Sequence, residues 1–415
     1  MSVSKNAKVS PEKLFALLFD DGVYTELLPA MSINGNMAEV KAVSGRVCGQ
    51  NIYAYSQCDE GAGGAMSVAQ AEKLKKVYAL ALKTGCPVVS FYTDSKAKVT
   101  EGNMLLDALG DLLASSMRLS GIVPRISVVM GDCVASNAML SASADFVIMT
   151  EDAKLTLSAD CDCSGKGKAA IVAEDAQQAV DKVAELISYL PANNLSQVPF
   201  AEASDGLFFD ADSELKLYDN KDDKVSIALA RIDGRTVGSV KALSKEIDKK
   251  GAKKIASFVR FCDAFSLPVI TQMDAAEFCC IGSANKVLSA YTEATTVKIS
   301  VVEGTAVGAA YMALAGKAAR CDAVIGMEGA VISPIKPEAA AYIALGTELE
   351  GLTVAEQDAK IKEYIANELS AENAAKNGFI DDIADAETIR TKLINYLDIL
   401  GSKRETALPK KHSTI

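Results

Sequence analysis

The sequence predicts an α/β protein with two related halves, because a pattern of strands and helices is repeated along its 415 residues. Residues 126–134 (ISVVMGDCV) recur as residues 299–307 (ISVVEGTAV), and each copy leads into an alanine-rich segment. Such a run of β-branched residues, ending in small residues, is typical of a buried strand that enters a helix. A second apolar strand follows each copy, at 145–149 and 322–325. This repetition predicts a duplicated α/β unit.

The repeat also extends toward the N-terminal side of each half. Gly45-Arg46 and Gly234-Arg235 each predict the start of a strand. An amphipathic helix is predicted next, from the i, i+3, i+4, i+7 spacing of apolar residues. Those residues are Leu74, Val77, Tyr78 and Ala81 in the first half and Ile255, Phe258, Val259 and Cys262 in the second. Proline-led apolar strands follow at 87–92 and 268–273. Each half is therefore expected to contain, in this order, a strand, a helix, a strand, a helix-like segment, a strand, a helix and a strand.

Changes in composition predict the domain boundaries. Residues 1–190 form the expected N-terminal domain, and residues 225–415 form the expected C-terminal domain. Between them, residues 191–224 are polar and acidic with little periodicity, which indicates a linker. Residues 353–400 predict helices that are interrupted by a glycine cap and a short strand at 377–380.

Composition excludes several classes of function. No apolar run approaches the ~18 residues of a membrane helix, and the N-terminus has no signal-peptide pattern. A net charge of −11 argues against broad nucleic-acid binding. The ten cysteines include no Cys-x-x-Cys pair, so reduced thiols that act as small buried hydrophobes are expected, without a structural zinc. A cytoplasmic protein is the resulting expectation.

The residue types that the sequence offers for catalysis indicate a reaction that depends on main-chain N–H groups. The single histidine, His412, lies close to the C-terminus, so neither a catalytic triad nor a histidine metal site is expected in the body of the chain. A Walker A loop and a well-placed Gly-x-Gly-x-x-Gly are also missing. The two small-residue turns remain, and a turn that opens a helix directs N–H groups at one point, which suits an oxyanion. Two such turns predict two anions to stabilise.

The chain resembles the carboxyltransferase subunits of biotin-dependent acyl-CoA carboxylases and decarboxylases, in the short form of anaerobic bacteria. The resemblance runs from about Pro11 to the C-terminus. Its motifs are residues 14–22 (LFALLFDDG), 53–57 (YAYSQ), 63–67 (GGAMS), 120–124 (SGIVP), 189–194 (YLPANN), 258–270 (FVRFCDAFSLPVI), 290–295 (AYTEAT), 403–405 (KRE) and 409–412 (PKKH). It implies a fold of tandem crotonase-like (ClpP/crotonase) ββα-spiral domains.

The resemblance implies transfer of a carboxyl group between biotin, on a separate carrier protein, and a short-chain acyl-CoA. Loss of CO₂ leaves a ureido oxyanion on biotin, removal of an α-proton makes a thioester enolate, and one oxyanion hole stabilises each. The implied partners are a biotin carrier protein with either a biotin carboxylase or membrane sodium-pump decarboxylase subunits. A homo-oligomer with a dimer core, up to a hexamer, is implied as well, and a pump would place it at the inner membrane. No metal and no nucleic acid are expected.

Position by position, the resemblance implies a first oxyanion hole at Ala135 and Ser136 and a second at Gly308, Ala309 and Ala310. The substrate-binding residues that it implies are Gly63, Gly64, Ala65, Asp94, Glu101, Asp274, Phe278 and Tyr311. For two of these a structural role is an equally open alternative: Glu101 as a carboxylate at a helix start, and Tyr311 as a core residue.

Three departures from the family pattern lie in the implied site. Ala135-Ser136 replaces a usual Gly-Gly pair, Lys96 stands in a glycine place, and residues 275–278 (AAEF) replace a Val-Pro-Gly-Phe loop. They leave two alternatives open. One is a biotin-independent crotonase-type enzyme acting on an acyl-CoA, and the other is a non-catalytic structural paralogue. The acyl group and the direction of transfer also stay open.

Overall fold

A computed structural model describes residues 9–57, 65–93, 97–158 and 164–406. The chain divides into two compact units, Met1–Pro199 and Phe200–Ile415. Each unit contains one large, mostly parallel sheet.

Unit 1 contains strands and helices in the predicted alternation. Its strands are β1 (Tyr24–Leu27), β2 (Ser32–Ile33), β3 (Asn36–Met37), β4 (Val40–Val47), β5 (Gln50–Gln57), β6 (Val88–Tyr92), β7 (Arg125–Val129), β8 (Asp132–Val134), β9 (Phe146–Thr150), β10 (Lys154–Thr156) and β11 (Ile171–Ala173). Its helices are α1 (Pro11–Leu18), α2 (Val68–Thr84), α3 (Asn103–Met117), α4 (Ala135–Ala142) and α5 (Ala176–Tyr189).

Unit 2 repeats this order. Its strands are β12 (Leu215–Leu217), β13 (Val225–Ile232), β14 (Arg235–Ala242), β15 (Glu246–Ile247), β16 (Val269–Ala275), β17 (Glu277–Phe278), β18 (Lys298–Val307), β19 (Ala323–Met327), β20 (Val331–Ser333) and β21 (Asp382–Ala384). Its helices are α6 (Lys249–Ala264), α7 (Ile281–Glu293), α8 (Gly308–Leu314), α9 (Pro337–Leu345), α10 (Val354–Glu368), α11 (Ala371–Lys376) and α12 (Ile389–Leu400).

The two sheets have the same topology. In unit 1 the strand order is β1-β4-β5-β6-β7-β9-β11, and in unit 2 it is β12-β13-β14-β16-β18-β19-β21. The first three strands of each order are antiparallel, and the rest are parallel. In unit 1, β8 leaves the sheet to pair with β10, and in unit 2 the end of β18 pairs with β20 in the same way. The predicted duplication is therefore confirmed at the level of strand pairing.

The helices pack on these sheets through the predicted faces. The four apolar residues predicted for the first-half helix are buried in α2, and the four predicted for the second half are buried in α6. Between positions 353 and 400, α10, α11 and α12 confirm the predicted helices. Gly378 has a left-handed backbone (φ 70°) after α11, as expected of a helix cap.

The hairpin before each parallel region is closed by an aspartate. The carboxylate of Asp20 accepts hydrogen bonds from the N–H groups of Cys48 (2.9 Å) and Gly49 (2.8 Å). In unit 2, Asp210 accepts those of Asp233 (2.9 Å) and Gly234 (2.8 Å). Both turns have left-handed backbones, which end one strand and start the next.

This arrangement corrects one expectation from the sequence and adds detail to a second. The predicted strand start at Gly45-Arg46 is wrong, because those residues lie inside β4 and the new strand starts after Gly49. The segment predicted as a linker, 191–224, divides between the units. Asn193 donates to the carbonyl of Gly85 in unit 1 (2.8 Å), whereas Asp210 and β12 belong to unit 2. Its polarity reflects the capping of turns rather than a free connection.

A buried basic residue begins the central strand of each sheet. Arg125 in β7 donates its N–H to Asp145 (2.8 Å), and its guanidinium reaches the carbonyl of Ser116 (3.1 Å). Lys298 in β18 donates its N–H to Asp322 (2.8 Å), and its ammonium donates to the carbonyl of Ala294 (2.8 Å). These cations satisfy carbonyl groups at the ends of the preceding helices, which would otherwise be unpaired.

Asp223, inside the predicted linker, anchors its segment to α6. Its carboxylate accepts hydrogen bonds from Lys250 and Lys254, each at 2.6 Å. Burial alone would raise the pKa of Asp223, but these hydrogen bonds outweigh it and lower the pKa to about 2.

Replacing Asp223 with asparagine should therefore remove stability that depends on pH. A carboxylate whose pKa is lowered by folding stabilises the folded state above its unfolded pKa of ~3.9 and loses that contribution as the pH falls. The free energy of unfolding, measured by urea titration, should differ between the original chain and D223N at pH 5, and the difference should shrink toward pH 2. The exposed Asp219→Asn variant is the control. A difference that is constant with pH would contradict the ion-pair assignment.

Candidate active site

In each unit, the implied site residues that the structure describes lie near the carboxyl ends of neighbouring parallel strands. Some directly follow these strand ends, and the others lie beside the segments that follow them. In unit 1, β5, β6 and β7 are adjacent and end at Gln57, Tyr92 and Val129. In unit 2 the equivalent strands are β14, β16 and β18. Ligands of open α/β sheets bind at this edge, because the loops and helix starts converge there.

The first predicted oxyanion turn lies between β8 and α4. Ala135 begins the eight-residue helix α4, and Val134 before it is extended. Ala135 itself has a left-handed backbone, with φ 52°. This conformation is costly for a residue with a Cβ atom, by roughly 1–2 kcal/mol. The turn thus keeps a strained geometry that glycine would adopt freely.

The second predicted oxyanion turn lies between β18 and α8 and has the same backbone. Gly308 has φ 45°, and Val307 before it is extended. Two constraints disfavour a side chain here. The left-handed backbone is one, and the other is that a Cβ atom on Gly308 would lie 2.9 Å from the carbonyl oxygen of Pro334. Ala309 and Ala310 follow in the first turn of α8, where N–H groups have no acceptor within the helix.

Equivalent serines attach these helices to the central strands. The hydroxyl of Ser127 in β7 is hydrogen-bonded to that of Ser141 in α4 (2.6 Å). In unit 2, Ser300 in β18 donates to the carbonyl of Leu314 in α8 (2.5 Å). Both serine side chains are buried. The bonds fix the far end of each short helix and so limit the direction of its first turn.

Asp274 organises the backbone before the second turn. One carboxylate oxygen accepts the N–H of Thr305 (2.6 Å) and pairs with the ammonium of Lys245, which also donates to the Thr305 hydroxyl (3.1 Å). A Cβ atom on Gly304 would lie 2.5 Å from the same carboxylate oxygen. The carboxylate thus shapes the backbone of β18, and the predicted role of Asp274 in substrate binding stays a prediction.

The other two implied residues of unit 2 lie around α8. Phe278 is half-buried in β17, which packs against α8. Tyr311, in α8, donates its hydroxyl to the carbonyl of Phe379 (2.7 Å). Burial raises the pKa of Tyr311, so the phenol stays protonated. This bond places Tyr311 among the residues that hold α8 in position.

In unit 1, Glu101 caps a helix other than its own. Its carboxylate accepts the N–H of Val68, the first residue of α2 (2.7 Å). Ala65 precedes this helix, and the carbonyl of Met66 accepts the N–H of Lys98 (2.9 Å). The segments after β5 and β6 are thereby joined. Gly63, Gly64 and Asp94 lie outside the described residues.

The sequence did not single out a polar network beside the second turn. Gln272 in β16 donates to Glu303 (2.7 Å), and Lys241 in β14 lies 3.7 Å from the same carboxylate. Glu303 stands in the repeated motif where the first copy has Met130. This gain of a carboxylate in the second copy of the motif is the signal that could have identified it.

Among the residues described by the structure, no group of three histidine, cysteine, aspartate or glutamate side chains is placed to hold a metal ion. In the same residues, every helix is too short or too polar to cross a bilayer.

A family model for the carboxyl transferase domain matches residues 14–161 and 221–415. The chain belongs to the carboxyl transferase family. Its relatives include methylmalonyl-CoA decarboxylase subunit alpha of Propionigenium modestum, 26% identical over 99% of this chain and 93% of that protein. The methylmalonyl-CoA carboxyltransferase 12S subunit of Propionibacterium freudenreichii subsp. shermanii is 29% identical over 89% of this chain and 82% of that protein.

A solved structure of the same family has the same fold. It is transcarboxylase 12S, described as a hexamer with hydrolysed methylmalonyl-coenzyme A bound. The two structures superpose with a TM-score of 0.91 at 26% identity, over 99% of this chain and 93% of that one. The predicted family and crotonase-like fold are confirmed. The predicted class of activity is confirmed too: a carboxyltransferase of acyl-CoA carboxylase or decarboxylase complexes. The roles of individual site residues stay predictions.

The carboxyl transferase turn at Ala135 yields a stability prediction. Ala135→Gly should raise the free energy of unfolding by up to about 1 kcal/mol, because relief of left-handed strain outweighs the added freedom of the unfolded chain. Ala138→Gly, inside α4, is the control and should lower it by about 1 kcal/mol or more. Urea unfolding of both variants tests this. If both changes destabilise equally, the turn does not have the left-handed geometry.

Proposed function

We propose that this chain is the subunit that transfers a carboxyl group between carrier-bound biotin and a short-chain acyl-CoA. The observation that carries the proposal is the pair of equivalent strand-to-helix turns, with left-handed backbones at Ala135 and Gly308. Main-chain N–H groups at a helix start can stabilise negative charge without histidine, of which the chain has a single one. The relatives' names and the hydrolysed methylmalonyl-coenzyme A bound to transcarboxylase 12S support the substrate class.

The two turns take different anions in this proposal. The turn at Ala135 and Ser136 would stabilise the ureido oxygen of biotin, and the turn at Gly308, Ala309 and Ala310 would bind the oxygen of the thioester as charge develops on it. Biotin supplies the carboxyl group and the nitrogen that accepts the α-proton. The protein binds both partners, orients them and stabilises the charge. One correctly placed main-chain donor is typically worth ~3 kcal/mol of barrier.

The residues at the first turn fit this role despite their departure from the family pattern. Alanine at position 135 keeps the left-handed conformation that Gly308 has in the second copy. The direction of the following N–H groups is therefore maintained, and the cost is backbone strain.

In the proposed complex this chain works as a homo-oligomer with a separate biotin carrier protein. A biotin carboxylase, or membrane subunits of a sodium-pumping decarboxylase, completes it. The decisive experiment mixes the purified chain with a carboxybiotinylated carrier and acetyl-, propionyl-, methylmalonyl- and glutaconyl-CoA. Transfer that avidin abolishes supports the proposal. Turnover that survives avidin assigns the chain to biotin-independent crotonase-type enzymes. No turnover with any thioester, together with co-assembly with an active paralogue, makes it a structural subunit.

A single substitution tests the second turn. Gly308→Ala should lower kcat by at least ~100-fold, because the added Cβ atom meets the Pro334 carbonyl and the displaced N–H groups no longer reach the thioester oxygen. The matched control is Gly329→Ala, since Gly329 also has a left-handed backbone (φ 79°) but open space around it. The Gly329→Ala control should carry the same backbone strain but keep the kcat of the original chain. Equal turnover in the two variants would refute the assigned turn.

A further inference from the structure

A small polar cavity lies inside unit 1, between the sheet and the helices α2 and α3. Its walls include Tyr78 of α2, Ser116 of α3 and Ser90 of β6, together with Arg125 at the start of β7. The cavity offers about 10 Å³ to the centre of a water molecule. This volume is close to the least that a single water requires. The proposed carboxyl transfer assigns no role to this cavity.

One of the residues that line the cavity has a donor without a partner. The Nη1 group of Arg125 donates to the carbonyl (3.1 Å) and the hydroxyl (3.0 Å) of Ser116, and the Nη2 group donates to the carbonyl of Ser143. The Nε atom is buried and has no hydrogen-bond partner within the residues that the structure describes. Because a buried donor without a partner destabilises the folded state, such a group requires an explanation.

The equivalent residue of unit 2 has no such unmet donor. The ammonium of Lys298 donates to three carbonyls, which belong to Tyr291 (2.5 Å), Ala294 (2.8 Å) and Ala319 (3.3 Å). An ammonium has three N–H donors, so three acceptors satisfy it, whereas a guanidinium has five. Arginine at position 125 therefore brings donors that the surrounding carbonyls do not take up.

The other polar walls suit a neutral molecule. The hydroxyl of Tyr78 is hydrogen-bonded to that of Tyr55 (2.7 Å), which also reaches that of Tyr92 (3.0 Å). Burial raises the pKa of Tyr55 and of Tyr78 well above the ordinary value, so both phenols stay protonated. A hydroxyl can both donate and accept. The charge of Arg125 is already met by Asp145, whose carboxylate lies 3.7 Å from the guanidinium. A neutral ligand is therefore favoured over an anion.

We propose that this cavity is the binding site of one internal water molecule. The water oxygen accepts the Nε–H of Arg125, and its two protons are donated to hydroxyl oxygens of the wall, which Ser90, Ser116 and Tyr78 supply. The water thereby joins α2, α3 and β6 to the start of β7, and a bridging water can bond nearly as well as a direct contact. This inference does not depend on the proposed carboxyl transfer.

A high-resolution crystal structure of the full-length chain tests the proposal directly. Electron density for one oxygen atom is expected in the cavity, within about 3.2 Å of the Nε atom of Arg125. A crystal soaked in sodium bromide separates a water from an anion. An anomalous bromide peak in the cavity would overturn the proposal, and so would a cavity without density in the unsoaked crystal.

A matched pair of variants tests the proposal in solution. Oxygen-17 magnetic relaxation dispersion counts the internal waters that exchange slowly with solvent. Val88 lines the cavity, whereas the equally buried Val89 beside it does not. Val88→Ile adds a methyl group at the wall and should remove one slowly exchanging water, and Val89→Ile should keep the number of the original chain. Equal numbers in the two variants would contradict the assigned site.

Arg125→Lys is a second variant, which copies the residue of unit 2. It removes the Nε–H donor, and it should also lower the number of slowly exchanging waters by one. An unchanged number in this variant would show that the Nε–H does not hold the water, and the proposal would fail.

Discussion

The left-handed backbone at the strand-to-helix turn is the constraint on which both candidate sites depend. In each unit the chain must leave the end of a strand, β8 or β18, and start a helix within one residue, and Ala135 and Gly308 make that change. The geometry directs the first N–H groups of the helix toward the edge where parallel strands end. In the second copy the carbonyl of Pro334 also excludes any side chain, whereas the first copy accommodates a methyl group at the cost of strain.

Buried polar contacts hold these turns in place from the opposite side. Ser127 and Ser300 attach the helices to the strands, and Arg125 and Lys298 fasten the strand starts to the preceding helices. Each contact occurs at the equivalent place in the other half, although the partners differ chemically. Arginine presents several donors in a plane, whereas lysine presents one ammonium, so the two halves satisfy different sets of carbonyl groups with the same backbone.

The repeat made much of the fold predictable from the sequence. Apolar spacing located the buried faces of α2 and α6, and the duplicated motif located both turns. The strand start predicted at Gly45-Arg46 was wrong and the one at Gly234-Arg235 was correct, although a distant aspartate closes the hairpin in both units. Asp20 and Asp210 act on backbone groups more than 20 residues away, and a polar segment that caps a distant turn looks in the sequence like a free loop. For the same reason the sequence did not reveal the structural contacts of Asp274, nor which helix Glu101 caps, because their partners lie on other elements.

The central claim is that main-chain N–H groups at the second turn bind the thioester oxygen. A crystal structure with a non-hydrolysable acyl-CoA analogue tests it most directly. The account predicts the analogue's carbonyl oxygen within about 3 Å of N–H groups at the start of α8, next to Gly308. A thioester bound elsewhere, with those N–H groups already engaged within the fold, would contradict it.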